Sequence, residues 1–325
     1  MHNLKIILLA ICSIVLLFYC FLWLMGLKKY PVEYGISFDK DHASYLGLDW
    51  KKTYLATLDD LKPKYIRLSA KWDEIEKKQG KFDVSFLDWQ MNEAGKRGVK
   101  VALVVGQKTP RWPECHIPKW ASQSSMSEYI KYVVERYKNN SALDIWQVEN
   151  EPFIDFKFGE CKNFDEDSVA LEVALVRSLD DKHKIMLTDS GEMGIGFRAS
   201  RLSDIFGSTL YRIVKTPCGY IWKYHWLPAG AYKLKARLWG KGYENFYVSE
   251  LQAEPWMNGA HPNDLSISEQ ERTLSVEQLQ KNINYASRVG ASRAYLWGVE
   301  WWYWMKEKNN DSRYWEIIQK LNISA

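Results

Sequence analysis

The chain is poor in the spacings that mark a metal or redox centre. It has five cysteines in 325 residues and no Cys-x-x-Cys, which argues against a zinc ribbon or a thioredoxin-type site. Its six histidines make no His-Glu-x-x-His or other ligand spacing. The sequence therefore implies no metal site and no cofactor. A Gly-rich phosphate loop is missing as well. The first candidate strand leads instead into Phe38-Asp39-Lys40-Asp41. An excess of one charge is also lacking: 44 Lys and Arg against 40 Asp and Glu leave a net +4, with no electrostatic case for nucleic acid. There is no low-complexity tract and no short internal repeat. With 46% apolar and 26% charged residues, bulk disorder is excluded.

Aromatic residues are abundant: 16 Trp, 19 Tyr and 12 Phe. Trp is rarely fully buried, so a surplus suggests flat apolar rings facing a ligand. One long apolar run is present. Ile6 to Leu27 is uncharged, with Lys5 before it and Lys28 and Lys29 after it. About 20 apolar residues span a bilayer. A signal peptide has a shorter apolar core and a small-residue cleavage site, and large residues occupy Phe21 to Leu27. Residues 1–30 are thus expected to be an uncleaved membrane anchor, with a cleaved signal as the alternative.

The remainder, residues 31–325, alternates strand and helix. Eight strands are expected, at Glu33–Ser37, Tyr65–Leu68, Val99–Val105, Asp144–Val148, Lys184–Thr188, Tyr220–Tyr224, Phe246–Ser249 and Arg293–Trp297. Between them lie helical patterns, such as Tyr129, Ile130, Val133, Val134 and Tyr137 on one face. A last helix is expected near Ser312 to Asn322. This size and rhythm fit an α/β fold, a (β/α)8 TIM barrel. The rival is a doubly wound open sheet, which would more naturally carry a Gly-rich loop after its first strand.

In such a barrel the loops after the strands build the site. Arg67 and Trp72 follow strand 2. Lys108, Arg111 and Trp112 follow strand 3, and Glu149, Asn150 and Glu151 follow strand 4. Asp189 and Glu192 come after strand 5. Tyr224 and His225 stand at the expected strand 6, Glu250, Glu254 and Trp256 at strand 7, and Trp297, Glu300, Trp301 and Trp302 at strand 8. Carboxylates, an Arg and many indoles on one rim suit an oligo- or polysaccharide. Sugar C–H faces lie on aromatic planes, and sugar hydroxyls meet charged acceptors.

The run Trp146-Gln147-Val148-Glu149-Asn150-Glu151-Pro152, with Val248-Ser249-Glu250 three strands later, resembles the retaining glycoside hydrolases of the (β/α)8-barrel cellulase and β-galactosidase clan. The segments Ile66-Arg67-Leu68 and Trp72-Asp73-Glu74-Ile75-Glu76 also look like clan members near strand 2. The resemblance implies Glu151 as general acid/base and Glu250 as nucleophile. Retention needs two carboxyls about 5 to 5.5 Å apart, one protonated and one ionised. Arg67 would keep Glu250 ionised, and Asn150 would hydrogen-bond the sugar 2-hydroxyl. Trp297 would be the platform under the reacting sugar. Trp72, Asp189, Tyr224, His225, Trp256 and Trp301 are further substrate-contact candidates, and Glu254 is a rival to Glu250. Glu149, on the opposite strand face from Asn150, reads as structural.

Cys115 and Cys161 fall in rim loops after adjacent strands and are disulfide candidates, with two free thiols as the alternative. A bridge there would fit a catalytic domain outside the cytoplasm. The activity implied is a retaining β-glycosidase, monomeric, with a saccharide substrate and the membrane as its partners. A transglycosylase using the same residues and a non-catalytic carbohydrate-binding barrel are the alternatives. The segment from Leu251 to Ser275 is long enough for a lid.

Overall fold

A computed structural model describes residues 2–111, 113–121, 125–154, 161 and 164–321. Trp112 and Asn322 lie outside the described residues. The strands are β1 Glu33–Ser37, β2 Tyr65–Ser69, β3 Lys100–Val105, β4 Leu143–Val148, β5 Lys184–Asp189, β6 Ile205–Leu210, β7 Ile213–Lys215, β8 Ile221–Lys223, β9 Phe246–Gln252 and β10 Arg293–Trp297. The α-helices are α1 His2–Met25, α2 Lys40–Tyr45, α3 Trp50–Ala56, α4 Trp72–Ile75, α5 Ser85–Lys96, α6 Met126–Tyr137, α7 Ser168–Leu179, α8 Phe197–Leu202, α9 Ala229–Leu238, α10 Ile267–Glu271, α11 Val276–Ala286, α12 Val299–Asn309 and α13 Arg313–Lys320.

Eight strands close a barrel in the order β1-β10-β9-β6-β5-β4-β3-β2, every neighbouring pair parallel. The helices bury their apolar stripes against it. On α6, Tyr129, Ile130, Val133, Val134 and Tyr137 are all buried. On α11, Leu279 and Ala286 are buried, and the Ser275 hydroxyl caps the helix by accepting from the Gln278 N–H at 3.2 Å.

One expected strand is corrected. The sixth barrel strand is β6, not Tyr220–Tyr224. The latter falls on β8, which pairs antiparallel with β7 in a hairpin outside the barrel.

Inside the barrel, side chains stack in layers set by the two-residue period of a strand. The lower layer is Tyr65, Ala102, Ile145, Met186, Ile205, Tyr247 and Tyr295, a sealed apolar floor. Two residues farther along come Arg67, Gln147 and Thr188, all buried and polar. The barrel thus changes from hydrocarbon to hydrogen-bonding groups within one layer. At Gly207 a Cβ would meet Thr188 Cγ2 at 2.8 Å, so the bare backbone makes room there.

Candidate active site

Glu250 owes its direction to a bulge. Ser208 pairs with Val248 and Thr209 with Glu250, so Ser249 is the extra residue in β9. A bulge re-aims the side chain that follows it. With Tyr247 facing the barrel interior, regular alternation would turn Glu250 outward. Instead it enters the mouth.

There Arg67 meets it. The guanidinium is almost fully buried and donates four hydrogen bonds. Nε donates to Gln147 Oε1 at 2.8 Å, and Nη1 to the Ser249 carbonyl at 3.0 Å and to Glu250 Oε1 at 3.1 Å. Nη2 donates to Asn150 Oδ1 at 2.7 Å. One side chain therefore fixes both Asn150 and Glu250. Asn150 Oδ1 also accepts from Gln147 Nε2 at 3.2 Å. The second Glu250 oxygen, Oε2, accepts from the Tyr211 hydroxyl at 2.8 Å.

Glu151 follows β4 on a strained turn. Glu149 and Glu151 both lie in the left-handed region, at φ 57° and 44°. Such strain persists only where surroundings over-determine it. Here the Glu149 carboxylate accepts from the N–H groups of Gln107 at 2.8 Å and Lys108 at 2.6 Å. A Cβ at Gly106 would collide with that carboxylate. The Glu151 N–H donates to Thr188 Oγ1 at 2.8 Å, and its carbonyl accepts from Lys108 Nζ at 3.0 Å. Its carboxyl Oε1 accepts from Thr209 Oγ1 at 3.1 Å. Thr209 is the β6 partner of Glu250, so its hydroxyl ties the Glu151 carboxyl to the strand pair that carries Glu250. Burial, then the charge of Glu250, push the Glu151 pKa well above the usual carboxylate value.

A second cluster closes the mouth beside β1 and β10. Residues 107–109 pair with residues 114–116 as the two arms of a hairpin, with the His116 N–H donating to the Gln107 carbonyl at 2.8 Å and the Thr109 N–H to the Glu114 carbonyl at 2.9 Å. Arg111 at its tip has φ 85°. Its guanidinium lies 4.1 Å from the centroid of the Trp297 ring and grips Glu254 with both arms. It also pairs with Glu300 Oε2 at 2.7 Å. Burial raises the Glu300 pKa to about 7 against the pull of Arg111. His42, Glu254 and Glu300 offer ligand atoms within 4.8 Å of one another, the spacing of a cation site. The cation that the two carboxylates meet there is Arg111. The hairpin is joined to the loop after β4 by a disulfide between Cys115 and Cys161.

The expected site residues thus divide. Arg67, Asn150, Glu151 and Glu250 come together. Trp297 lines the adjacent cavity with Asp39 and Arg111. Trp256 stands edge-on to the Tyr211 ring, with centroids 5.2 Å apart. Five other expected contacts are placed differently. Trp72 is buried in α4, donates to Glu76 Oε2 at 2.8 Å and stacks on Tyr129, so it is core. Trp301 is buried in α12 and donates to Gln270 Oε1 at 2.8 Å. Tyr224 and His225 follow the hairpin rather than a barrel strand, and His225 is exposed. Asp189 is buried with its carboxylate turned into its own loop, accepting from the Ser190 N–H at 2.8 Å and the Gly196 N–H at 2.7 Å. Glu192 is likewise engaged, by the Tyr211 N–H at 2.8 Å and the Tyr232 hydroxyl. Sequence reasoning missed Tyr211. The signal was its place directly after the true sixth strand.

Residues 66–170 match the glycosyl hydrolase family 10 profile. The fold is similar to a β-galactosidase from the Antarctic haloarchaeon Halorubrum lacusprofundi, at 16% identity and TM-score 0.57 over 82% of this chain and 52% of that one. It is also similar to a β-galactosidase from Marinomonas ef1, at 12% identity and TM-score 0.56 over 82% and 54%. An exo-β-1,4-mannosidase from Opitutaceae bacterium strain TAV5 matches at 13% identity and TM-score 0.55 over 83% and 52%. The chain spans about half the length of these structures. The profile match covers residues 66–170, and the likeness to these structures extends over the closed barrel as a whole.

Proposed function

We propose that the chain is a retaining β-glycosidase that works by double displacement, tethered to a membrane by α1. The observation that carries this reading is the unequal dressing of two neighbouring carboxyl groups. Glu250 accepts from a guanidinium and a phenol, charge-assisted partners suited to a carboxylate. Among the described residues Glu151 accepts from one neutral hydroxyl, and its burial favours the protonated form.

In the first step Glu250 attacks the anomeric carbon while Glu151 gives its proton to the leaving oxygen. A glycosyl ester on Glu250 and a free aglycon result. In the second step Glu151, now ionised, takes a proton from water as that water displaces Glu250. Asn150 is held through Oδ1, and no hydrogen bond among the described residues uses its Nδ2; in this reading Nδ2 donates to the sugar 2-hydroxyl. The disulfide supports a catalytic domain in an oxidising compartment.

The test is Glu151→Ala with aryl β-glycosides of graded leaving groups. Dinitrophenyl glycosides need no acid in the first step, so they should still form the glycosyl-enzyme, while methyl glycosides should lose turnover by at least about 100-fold. An equal loss for both would refute Glu151 as the acid.

A further inference from the structure

The path of α1 decides which way the barrel mouth faces. Its C-terminal end lies beside α9. The Tyr19 hydroxyl reaches the Trp226 carbonyl, and Lys233 Nζ donates to the Met25 carbonyl at 3.1 Å. Gly230 is packed so closely on α1 that a Cβ there would strike the Leu22 carbonyl. Farther along, the Tyr30 N–H donates to the Ser287 carbonyl at 2.7 Å, and the Tyr243 hydroxyl donates to the Pro31 carbonyl at 2.7 Å. Ser287 ends α11, and Tyr243 directly precedes β9, so both mark the closed end of the barrel. Trp226 instead follows the β7–β8 hairpin that leaves the mouth after β6. From Tyr19 to Tyr30, then, α1 descends from the mouth side to the floor. Its free N-terminal part projects past the mouth, and residues 3–18 are all exposed.

Length adds the second constraint. The apolar helix covers Asn3–Met25. At 1.5 Å per residue, the part from Leu4 to Tyr19 is about 24 Å long. The hydrocarbon core of a bilayer is about 30 Å thick. A spanning α1 therefore brings the membrane surface down to Tyr19 and Trp226, and so onto the mouth rim. The rim is suited to that contact. Tyr220, Trp222 and Trp226 are 62%, 43% and 52% exposed, and Lys223 beside them is exposed. Amphipathic rings of this kind settle at the headgroup level, and the lysine favours anionic lipids.

We propose that the mouth of the barrel is apposed to the bilayer that α1 enters, with the β7–β8 hairpin in the headgroup layer, and that the substrate is a saccharide carried on a membrane lipid. The inference rests on α1 as an anchor and on the glycosidase reading. Tyr211, which touches Glu250, is two residues before β7, so the docking hairpin and the catalytic carboxylate are joined by one short segment.

The test uses the full chain in phosphatidylcholine vesicles. Cys12, Cys20 and Cys218 are free, so a Cys12→Ser, Cys20→Ser variant takes a nitroxide at Cys218 in the hairpin turn. A second variant, with Cys218→Ser and Glu244→Cys added, places the label at the closed end. Relaxation by oxygen should dominate at position 218, and relaxation by a water-soluble nickel chelate at position 244. Equal nickel access at both sites would overturn the proposal. In parallel, vesicles bearing β-glucosyl, β-galactosyl or β-mannosyl diacylglycerol are compared with the matching methyl β-glycosides. At least tenfold faster release from one lipid is expected, and faster release from the methyl glycoside would overturn the substrate assignment. The premises fail separately. Release of the chain by alkaline carbonate removes the anchor and the proposal with it. A buried label at 218 with no turnover of any glycoside refutes the glycosidase reading and upholds the orientation.

Discussion

Arg67→Lys tests the organisation of the site most sharply, because it keeps the charge and removes the fork. Arg67 serves four acceptors from three nitrogens: Gln147 Oε1, the Ser249 carbonyl, Glu250 Oε1 and Asn150 Oδ1. These acceptors come from β4, the loop after it, and β9. An ammonium carries its donors on one atom and cannot reach all three places. Two acceptors left without a partner in a buried site cost about 1–3 kcal/mol each, or about 2–4 kcal/mol together allowing for partial repacking. For a domain of roughly 290 residues, an unfolding entropy of about 2.1 cal/mol/K per residue turns that loss into a drop in Tm of about 3–7 °C. The chemistry should suffer more. Asn150 and Glu250 would lose their common brace, and a displacement of about 1 Å costs on the order of 100-fold in rate. The assay pairs calorimetric Tm with the rate at which a 2-deoxy-2-fluoro dinitrophenyl glycoside labels the enzyme. A variant that melts within about 1 °C of wild type and labels at the wild-type rate would refute the reasoning.

Tyr211→Phe keeps the ring against Trp256 but removes the donor to Glu250. A hydrogen bond to a charged group is worth about 1.5–3 kcal/mol, so Tm should fall by about 2–5 °C and the labelling rate by about 10- to 150-fold; an equal rate would show the phenol idle. Cys115→Ser with Cys161→Ser opens a loop of sequence separation 46. Chain entropy puts the cost at about 4 kcal/mol, an upper figure, to be read by denaturant unfolding, and no loss would mean the hairpin needs no tether. Glu192 is buried, and burial raises its pKa to about 7. Because the folded value exceeds the unfolded one, its contribution to stability is full below about pH 4.5 and fades as pH rises through about 7. Glu192→Gln should therefore flatten the loss of stability between about pH 4.5 and 7, by up to about 3 kcal/mol; unfolding curves whose pH slope matches wild type would contradict this.

The barrel was legible where strands are apolar and β-branched, as in Lys-Val-Ala-Leu-Val-Val of β3. The sixth strand was not, for a reason of packing. Ile205-Phe206-Gly207-Ser208-Thr209-Leu210 must be small and polar on its inner face, because Gly207 abuts Thr188 and Thr209 donates to Glu151. That strand looks weak beside the aromatic Tyr220–Tyr224, which forms a real strand in the wrong place. The misplacement carried Tyr224 and His225 into the site and left Tyr211 out. Glu151 and Glu250 were readable because the Asn-Glu-Pro turn and its downstream partner are a local signature. The bulge that aims Glu250 was not, since it depends on the register between β6 and β9. Indoles gave no direction of their own: Trp72 and Trp301 are core, and the ring of Trp297 is capped by Arg111.

The most direct test of the account is intact-mass labelling of the full chain with a panel of 2-deoxy-2-fluoro β-glycosides bearing good leaving groups. The account predicts one glycosyl adduct, mapped by peptide digestion to Glu250 and abolished in Glu250→Gln. An adduct on Glu254, the carboxylate that Arg111 holds, or no adduct with any sugar in the panel, would contradict it.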